Sequence, residues 1–399
     1  MQYRLDTKKP QLACLILLIS FPSVAAVLIS PALPPISDFF NVSNGYTQQL
    51  ITIFIVGYAL GQLIYSPFAN RFGRKIAAYL GIMLYILSSL ICLMGIYAHQ
   101  LDIVIIGRFF MALGASVGMI ITFTVINDFY HPEQARPIVS FATLAYSFMP
   151  AVAVALGGFI TSHFSWIDCF YFYLCYGILM LFIVKLLPET LVTKNHNALK
   201  LKSLLSDYHK AFSARRLLLF ASIYGLMAAF IYIIASAAPF IGIDRIGLTP
   251  ADYGVLLLIP YGGQFVGALF AGIISKQFSA YQVMFLGYVS ITLGCVAMFI
   301  LFLLHWITIF SLMMPIFFIM LGLPMTYGGS TVMALTGFDD KATGSAILSF
   351  TAMFIALVAT FAVTVLPNRN PLVMPSLFIV VLLLAIIAFW YAARRYRDQ

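Results

Sequence analysis

Long apolar runs recur from one end of the sequence to the other, and they constrain the fold more than any other feature. Each run is roughly 18 to 25 residues long, enough for an α-helix to cross about 30 Å of hydrocarbon. Lipid satisfies no backbone hydrogen bonds, and the runs are too long for the strands of a membrane barrel. The sequence therefore predicts an all-α integral membrane protein. We count twelve spans, near residues 11–35, 47–69, 76–97, 103–126, 137–161, 169–187, 217–241, 253–275, 281–304, 307–334, 342–366 and 371–392.

Composition supports a lipid environment for most of the chain. The sequence is 62% hydrophobic and 9% charged, whereas soluble domains average about 25% charged residues. A soluble fold could not hide that much apolar surface behind so few charges. The first run contains four prolines and lacks a small-residue cleavage site, so we expect a membrane span and not a cleaved signal peptide.

The positions of lysine and arginine predict the orientation of the spans. With the N-terminus inside, the outer loops carry only Arg245 and Arg369. Both termini are therefore expected in the cytoplasm. This bias, together with anionic inner-leaflet lipid, explains the net charge of +9 without a nucleic-acid partner. The predicted cytoplasmic basic residues are Arg4, Lys8, Lys9, Arg71, Arg74, Lys75, Arg136, Lys194, Lys200, Lys202, Lys210, Arg215, Arg216, Lys276, Lys341, Arg394, Arg395 and Arg397.

A long polar segment, residues 188–216, divides six spans from six. It predicts an N-terminal six-helix bundle (1–187), a cytoplasmic linker (188–216) with a basic amphipathic helix, and a C-terminal six-helix bundle (217–399). The halves also resemble each other, since "GYALGQLIYSPFANRF" in span 2 is similar to "PYGGQFVGALFAGIISKQF" in span 8. Secondary transporters use such repeats to alternate access around a site near the bilayer midplane.

The sequence offers no constellation of residues for catalysis. Five cysteines and six histidines occur without the spacing of a metal site, and we expect neither a metal nor a cofactor. No phosphate-binding loop and no nucleophile elbow is present. An enzyme or sensor is therefore the least favoured class, behind a transporter.

A short basic segment, "NRFGRK", separates spans 2 and 3. It resembles the signature loop of the major facilitator superfamily, in which a Gly, three residues, an Asp, a basic residue, a Gly and two basic residues follow in order. Two positions depart from that pattern, Ser66 for the first Gly and Asn70 for the Asp. The resemblance implies a gating loop that holds the cytoplasmic sides of the two halves together; the alternative is a topology signal alone. The predicted gating residues are Asn70, Arg71, Gly73, Arg74 and Lys75, with Asp128 in span 4 as a partner for Arg71 or Arg74. Because Asn70 removes an anion that would face the positive N-terminal end of span 11, we expect a looser gate.

Further segments narrow the resemblance to the drug:proton antiporters, and within them to the bicyclomycin/chloramphenicol-resistance (Bcr/CflA) branch. They are "SPALPPI" in span 1, "GRFFMALGA" in span 4, "PAVAVALGGFI" in span 5, "LLPETL" after span 6 and "SAAPFIGIDRIGLTPADYG" at the end of span 7. In the span-5 motif Pro150, Gly157 and Gly158 imply a kink and close contact with span 8 or 11, although Val154 replaces a second proline.

Polar side chains inside the spans are the candidates for binding and coupling. Arg108 in span 4 is expected to face a central cavity and to pair with Asp168 at the start of span 6; the alternative is that it reaches the outer interface. Aromatic and amide side chains offer ring faces and hydrogen bonds to an apolar or cationic solute, although each is more often a packing residue. These candidates are Tyr58, Gln62, Tyr146, Tyr232, Tyr261, Gln264 and Tyr327.

One expected residue is missing. The Bcr/CflA branch usually has an acidic residue in span 1 before the Pro-Ala-Leu-Pro element, taken to carry the coupled proton, and the corresponding residue here is Val27. The sequence therefore predicts a monomeric exporter of small amphipathic compounds in the bacterial inner membrane, with Asp168 as the proton carrier. The alternative is a facilitator or importer of a metabolite such as an amino acid or siderophore.

Overall fold

The computed structural model describes residues 10–191, 193–194, 199, 212–336, 341–366 and 370–396. Within those ranges all regular structure is helical, and twelve helical segments are long and apolar enough to cross a membrane. The predicted all-α fold with twelve spans is confirmed. The unbroken helices are span 2, Asn44–Phe72; span 3, Arg74–Tyr97; span 5, Pro132–His163; span 6, Asp168–Lys185; span 9, Ala280–Leu303; span 10, Ile309–Leu335; span 11, Lys341–Val365; and span 12, Val373–Tyr396.

Four spans are interrupted. Span 1 consists of Leu12–Val27, a short 3₁₀ turn Ser30–Ala32 and Leu33–Phe40; span 4 of Leu101–Ala115 and Val117–Phe129; span 7 of Arg215–Pro239 and a π-helical turn Phe240–Arg245; span 8 of Pro250–Leu256 and Leu258–Ile274. The break in span 1 has a local cause. Pro31 has no N–H to donate to the carbonyl of Val27, and its ring clashes with that carbonyl in a continuous helix.

Spans 1–6 pack mainly against one another, and so do spans 7–12. The principal contacts between the two groups are span 2 with span 11 and span 5 with span 8. The bundle boundaries at residues 187 and 217 stay a prediction. Most of the linker between them, residues 192, 195–198 and 200–211, lies outside the described residues, as does the predicted amphipathic helix.

The two ends of the spans differ in charge and in packing. We call the end that carries Arg71, Arg74, Lys75, Arg215 and Lys276 the basic end, and the opposite one the far end. At the far end the two halves are joined by hydrogen bonds. Ser30 Oγ donates to the Ala235 carbonyl at 2.6 Å, and Gln48 Nε2 donates to the Ser236 carbonyl at 3.2 Å. The Ala251 N–H donates to Ser162 Oγ at 2.9 Å.

Candidate functional site

A cavity of about 760 Å³ lies between the two halves, lined by spans 1, 2, 5, 7, 8, 9, 10 and 11. Its wall extends to Ser275 and Phe278, in the turn between spans 8 and 9 at the basic end. Beyond the cavity in the other direction are the hydrogen bonds that join the halves at the far end. The cavity therefore faces the basic end and is closed at the far end.

Several of the predicted binding residues lie in the wall of this cavity. Tyr58, Tyr146, Tyr232, Gln264 and Pro150 all contribute to it. Pro150 lies in the middle of span 5, where its missing N–H weakens the helix beside the cavity. The cavity thus presents aromatic faces and polar tips from both halves of the chain.

Two predicted residues are buried but do not line the cavity, and one of the lining tyrosines was not predicted. Tyr261 and Gln62 are buried outside the wall, each about one helical turn from a lining residue, Gln264 and Tyr58 respectively. Tyr224 in span 7 was not predicted, yet it lines the cavity beside Tyr327, with 4.5 Å between the ring centroids. A tyrosine in an otherwise apolar span was the signal in the sequence.

Gln264 has an unsatisfied acceptor. Its side chain is 6% exposed, it lines the cavity, and its Oε1 atom accepts no hydrogen bond. Buried polar atoms are nearly always hydrogen-bonded, so an unpaired one in a cavity wall indicates a contact with solute or solvent. Gln264 is therefore positioned to accept a hydrogen bond from a bound molecule.

The part of the cavity wall that the described residues form carries no formal charge. Among the described residues, none that lines the cavity is Asp, Glu, Lys, Arg or His. Val27 occupies the span-1 position at which the related branch usually has an acid, and its side chain is part of the wall. Neutral groups, namely apolar side chains, hydroxyls and the Gln264 amide, therefore make the direct contacts with a solute in this cavity.

Arg108 does not line the cavity, contrary to the prediction. It is fully buried, and its guanidinium donates to the carbonyls of Ala25 at 2.8 Å and Ala26 at 3.2 Å. A longer bond of 3.4 Å reaches the carbonyl of Leu50. The ring of Phe54 lies 4.5 Å from the guanidinium carbon. The charge is thus surrounded by backbone oxygens and an aromatic face.

The broken backbone of span 1 explains why Arg108 lies there. The N–H of Ile29, which would bond to Ala25 in a continuous helix, donates instead to the Tyr173 hydroxyl at 3.1 Å. The carbonyls near the helix end then need other donors, because lipid and apolar side chains supply none. Arg108 provides those donors for Ala25 and Ala26, so it acts as a cap for the helix end.

The predicted pair of Arg108 and Asp168 is not formed. Arg108 instead contacts spans 1 and 2 as described above and, in span 6, the ring of Tyr173, whose centroid lies 5.4 Å from the guanidinium carbon. Asp168 begins span 6 near the far end and is partly exposed. At that position the carboxylate is stabilised by the positive N-terminal end of its own helix. Asp168 is not among the residues that line the cavity.

The gating loop is organised around Arg74. Its Nε atom lies 2.8 Å from Asp128 Oδ2, an ion pair between spans 3 and 4. Its Nη1 atom donates to the carbonyl of Ala69 at 2.8 Å and to Asn70 Oδ1 at 3.0 Å. The Arg74 side chain is 7% exposed. Arg74, and not Arg71, is therefore the partner of Asp128 in this structure; the Arg71 guanidinium stacks on the neighbouring Phe72 ring.

Glu189, which sequence reasoning did not single out, binds the same loop. Its two carboxylate oxygens accept the N–H groups of Arg74 and Lys75, each at 3.0 Å, and so cap the N-terminus of span 3. Gly73 adopts φ +112°, and a Cβ atom there would lie 2.6 Å from the carboxylate, so only glycine fits. The signal was the acidic residue in "LLPETL" directly after span 6.

The gating loop is tied to the segment after span 6 by further hydrogen bonds. The Thr190 hydroxyl donates to Asp128 at 2.8 Å, and Lys75 Nζ donates to the carbonyl of Lys185 at 2.9 Å. All these partners belong to the first half of the chain. The looser latch that Asn70 implies toward the N-terminus of span 11 stays a prediction, and residues 337–340, directly before that helix, lie outside the described residues.

Adjacent glycines in span 5 contact both halves. A methyl group on Gly157 would overlap the carbonyl oxygen of Leu28 in span 1, and one on Gly158 would overlap that of Pro250 in span 8. A Cβ atom on Gly254 of span 8 would in turn lie 2.8 Å from the Val154 carbonyl of span 5. Small residues let the helix backbones approach this closely. Of the two predicted partners of span 5, span 8 is the one that packs extensively against it.

Comparison with known proteins accords with this architecture. The sequence profile of the Major Facilitator Superfamily matches residues 13–363. The chain belongs to this superfamily. It is thus a multi-pass membrane transporter of small molecules. The superfamily is a family of transporters and not an enzyme class.

The bacterial relatives include an uncharacterized transporter and two proteins that are named for drug resistance. An uncharacterized transporter of Rickettsia bellii is 28% identical over 96% of this chain and 97% of its own length. Multidrug resistance protein D of Escherichia coli is 26% identical, covering 67% of this chain and 66% of its own. A bicyclomycin resistance protein homolog of Haemophilus influenzae is 24% identical over 64% of this chain and 63% of its own.

Solved structures with the same fold include sugar transporters of the superfamily. A D-xylose–proton symporter superimposes with a TM-score of 0.78 at 14% identity, covering 94% of this chain and 96% of its own. A partially occluded inward-open structure of the xylose transporter XylE from E. coli gives a TM-score of 0.77 at 13% identity, over 96% and 97% of the two chains. At these identities the likeness concerns the fold.

Proposed function

We propose that this transporter exports small amphipathic compounds from the cytoplasm across the bacterial inner membrane, as a monomer and by alternating access. The observation that carries the proposal is the uncharged, tyrosine-rich cavity between the two halves, open toward the basic end and closed at the far end. Basic residues favour the cytoplasmic side of a membrane. In this orientation the cavity receives solute from the cytoplasm.

The size and chemistry of the cavity suit drug-like compounds. Its volume of about 760 Å³ lies within the ~300–1,000 Å³ typical of ligand pockets. Tyrosine rings provide stacking faces, while hydroxyl groups and Gln264 Oε1 provide a few oriented hydrogen bonds. Relatives named for multidrug and bicyclomycin resistance support export as the direction of transport.

Export against a concentration gradient requires an energy source, and we propose proton exchange, as the resemblance to drug:proton antiporters implies. The route through Arg108 and Asp168 is not part of this proposal, because the two residues are not paired. A second candidate function is a facilitator that equilibrates its solute without protons. It is favoured by the absence of a carboxylate from the cavity wall among the described residues.

Transport by purified protein in proteoliposomes separates these candidates. The probe is a neutral fluorescent amphipathic compound, offered with and without an imposed pH gradient. Accumulation that depends on the gradient supports proton-coupled export. Equilibration of the probe at the same rate with and without the pH gradient supports the facilitator. Movement no faster than in protein-free liposomes overturns both.

A matched pair of variants tests whether the cavity is the route. Ala228 lines the cavity in span 7, so Ala228→Trp fills part of it and is expected to reduce transport at least about tenfold. Leu293 in span 9 is 58% exposed on the outer surface, so Leu293→Trp adds the same side chain away from the cavity. Equal transport by the two variants would contradict the proposed route.

A further inference from the structure

The buried charge of Arg108 lies directly behind the cavity wall. The Phe54 ring has its centroid 4.5 Å from the guanidinium carbon, and Ala26 accepts a hydrogen bond from Nη2. Both Phe54 and Ala26 also line the cavity. A single layer of side chain and backbone thus separates a full positive charge from the bound solute.

That charge is screened but not cancelled. The described ion pair of the protein is the one between Arg74 and Asp128 at the basic end, and Arg108 contacts carbonyl dipoles and aromatic faces. The field of a dipole falls off faster with distance than that of a charge, so a positive potential persists beyond the nearest atoms. Apolar surroundings strengthen it, because the effective dielectric constant there is far below that of water.

No described acidic side chain opposes this potential inside the cavity. Asp38, Asp102, Asp128, Asp168, Glu189, Asp244 and Asp252 are all absent from the wall. At the mouth, Lys276 lies in sequence between the lining residues Ser275 and Phe278. The route from the basic end into the cavity therefore passes a cation and leads toward a second one.

We propose that the cavity selects uncharged and anionic aromatic compounds and discriminates against cations. This inference rests on the proposed function and narrows its substrate class, which the sequence had left open to apolar or cationic solutes. Tyrosine rings attract cations through their quadrupoles, but that attraction also falls off faster with distance than the repulsion from Arg108. Tyrosine hydroxyl groups can in addition donate hydrogen bonds to an anion.

Three probes of one shape and different charge test the proposal. They are biphenyl-4-carboxamide, which is neutral, biphenyl-4-carboxamidine, which is a cation, and biphenyl-4-carboxylate, which is an anion. Binding to the purified transporter is measured by equilibrium dialysis against protein-free micelles. We expect the amide to bind, the carboxylate to bind at least as tightly, and the amidinium to bind roughly tenfold more weakly or worse.

Val27 offers a way to change the charge of the wall while Arg108 is kept. Val27→Glu places a carboxylate in the cavity, and Val27→Gln is the control of equal size without charge. We expect Val27→Glu to raise the affinity for the amidinium about tenfold relative to Val27→Gln and to lower that for the carboxylate. The Val27→Gln variant is expected to bind the three probes in the same order of affinity as the parent protein.

The outcomes separate this proposal from the proposed function. If the amidinium binds the parent protein as tightly as the amide does, or if the two Val27 variants bind it equally, the charge selection is wrong. If the expected order of binding is found but none of the probes crosses proteoliposome membranes, the transport function is wrong while the charge selection stands. If the amide does not bind, both are wrong.

Discussion

At the scale of single residues, Arg108 shows how a membrane protein can accommodate a charge with carbonyl oxygens, without an ion-pair partner among the residues that the structure describes. Its guanidinium replaces the hydrogen bonds that the break in span 1 removes from the carbonyls of Ala25 and Ala26. The Tyr173 hydroxyl completes the arrangement by accepting the N–H of Ile29. Arginine suits this position because its planar group presents several donors at once.

Removing Arg108 is expected to destabilise the protein. Arg108→Ala leaves buried carbonyls without donors, at a cost of about 1–3 kcal/mol each, so we expect a loss of roughly 3 kcal/mol or more. Arg108→Lys should be intermediate, because an ammonium group reaches fewer acceptors in a fixed geometry. Thermal unfolding of the purified protein in detergent measures the change.

The control for this prediction is Arg394→Ala. Arg394 lies at the basic end of span 12, with its guanidinium stacked on the exposed ring of Trp390, and its loss should change the free energy of unfolding little. A melting temperature of Arg108→Ala equal to that of the parent protein would show that Arg108 does not support span 1.

At the scale of helices, span 5 connects the two halves at the far end. Gly157 packs on span 1 of its own half and Gly158 on span 8 of the other half, so consecutive residues contact different groups of spans. Because a helix turns by about 100° per residue, two neighbouring glycines present two faces to two partners. Closure of the far end therefore depends on the absence of side chains at these positions.

The substitution Gly158→Ala is expected to favour an open far end. Its methyl group would overlap the Pro250 carbonyl, and overpacking of this kind costs about 1–3 kcal/mol in the closed state. That is enough to shift a near-balanced equilibrium about fivefold or more. In a variant without native cysteines, alkylation of Ser236→Cys by an impermeant maleimide should become several-fold faster.

Gly262 provides the matched control on span 8. A Cβ atom there meets nothing within 4 Å, so Gly262→Ala should leave the rate of alkylation unchanged. If Gly158→Ala and Gly262→Ala react at the same rate as the parent, close contact between spans 5 and 8 does not determine closure.

At the scale of the whole molecule, charge is segregated along the spans. The basic end carries the gating loop, fixed by the ion pair of Arg74 with Asp128 and by Glu189, while the two halves meet at the far end through hydrogen bonds between neutral groups. A transporter in this state presents its cavity to the side that holds the basic residues. The orientation in the membrane then decides which compartment loads the cavity.

Cysteine labelling of intact cells tests that orientation. Lys194 is an exposed residue of the segment after span 6, and Arg369 lies outside the described residues, between spans 11 and 12. Because basic residues favour the cytoplasm, an impermeant thiol reagent should label Arg369→Cys and not Lys194→Cys. Permeabilised cells, in which both should react, serve as the control; the reverse pattern in intact cells would contradict the predicted topology.

The sequence by itself determined the features that depend on short stretches of chain. Twelve apolar runs fix twelve helices, because each helix must satisfy its own backbone in lipid. The close-packing role of Gly158 and the presence of tyrosines in the spans also follow from local residue types. The family could be recognised from motifs such as "NRFGRK", since each is contiguous in sequence.

Only the tertiary structure decided which groups meet. Gln264 lines the cavity and Tyr261, about one turn nearer the far end on the same face of span 8, does not, because the surrounding spans decide how far the cavity extends along the helix. Arg108 could not be assigned to Ala25 and Ala26 from sequence, since their carbonyls become available only where the folded span 1 breaks. Hydrogen bonds between distant segments depend on the relative placement of whole helices, and no periodicity within one helix encodes that placement.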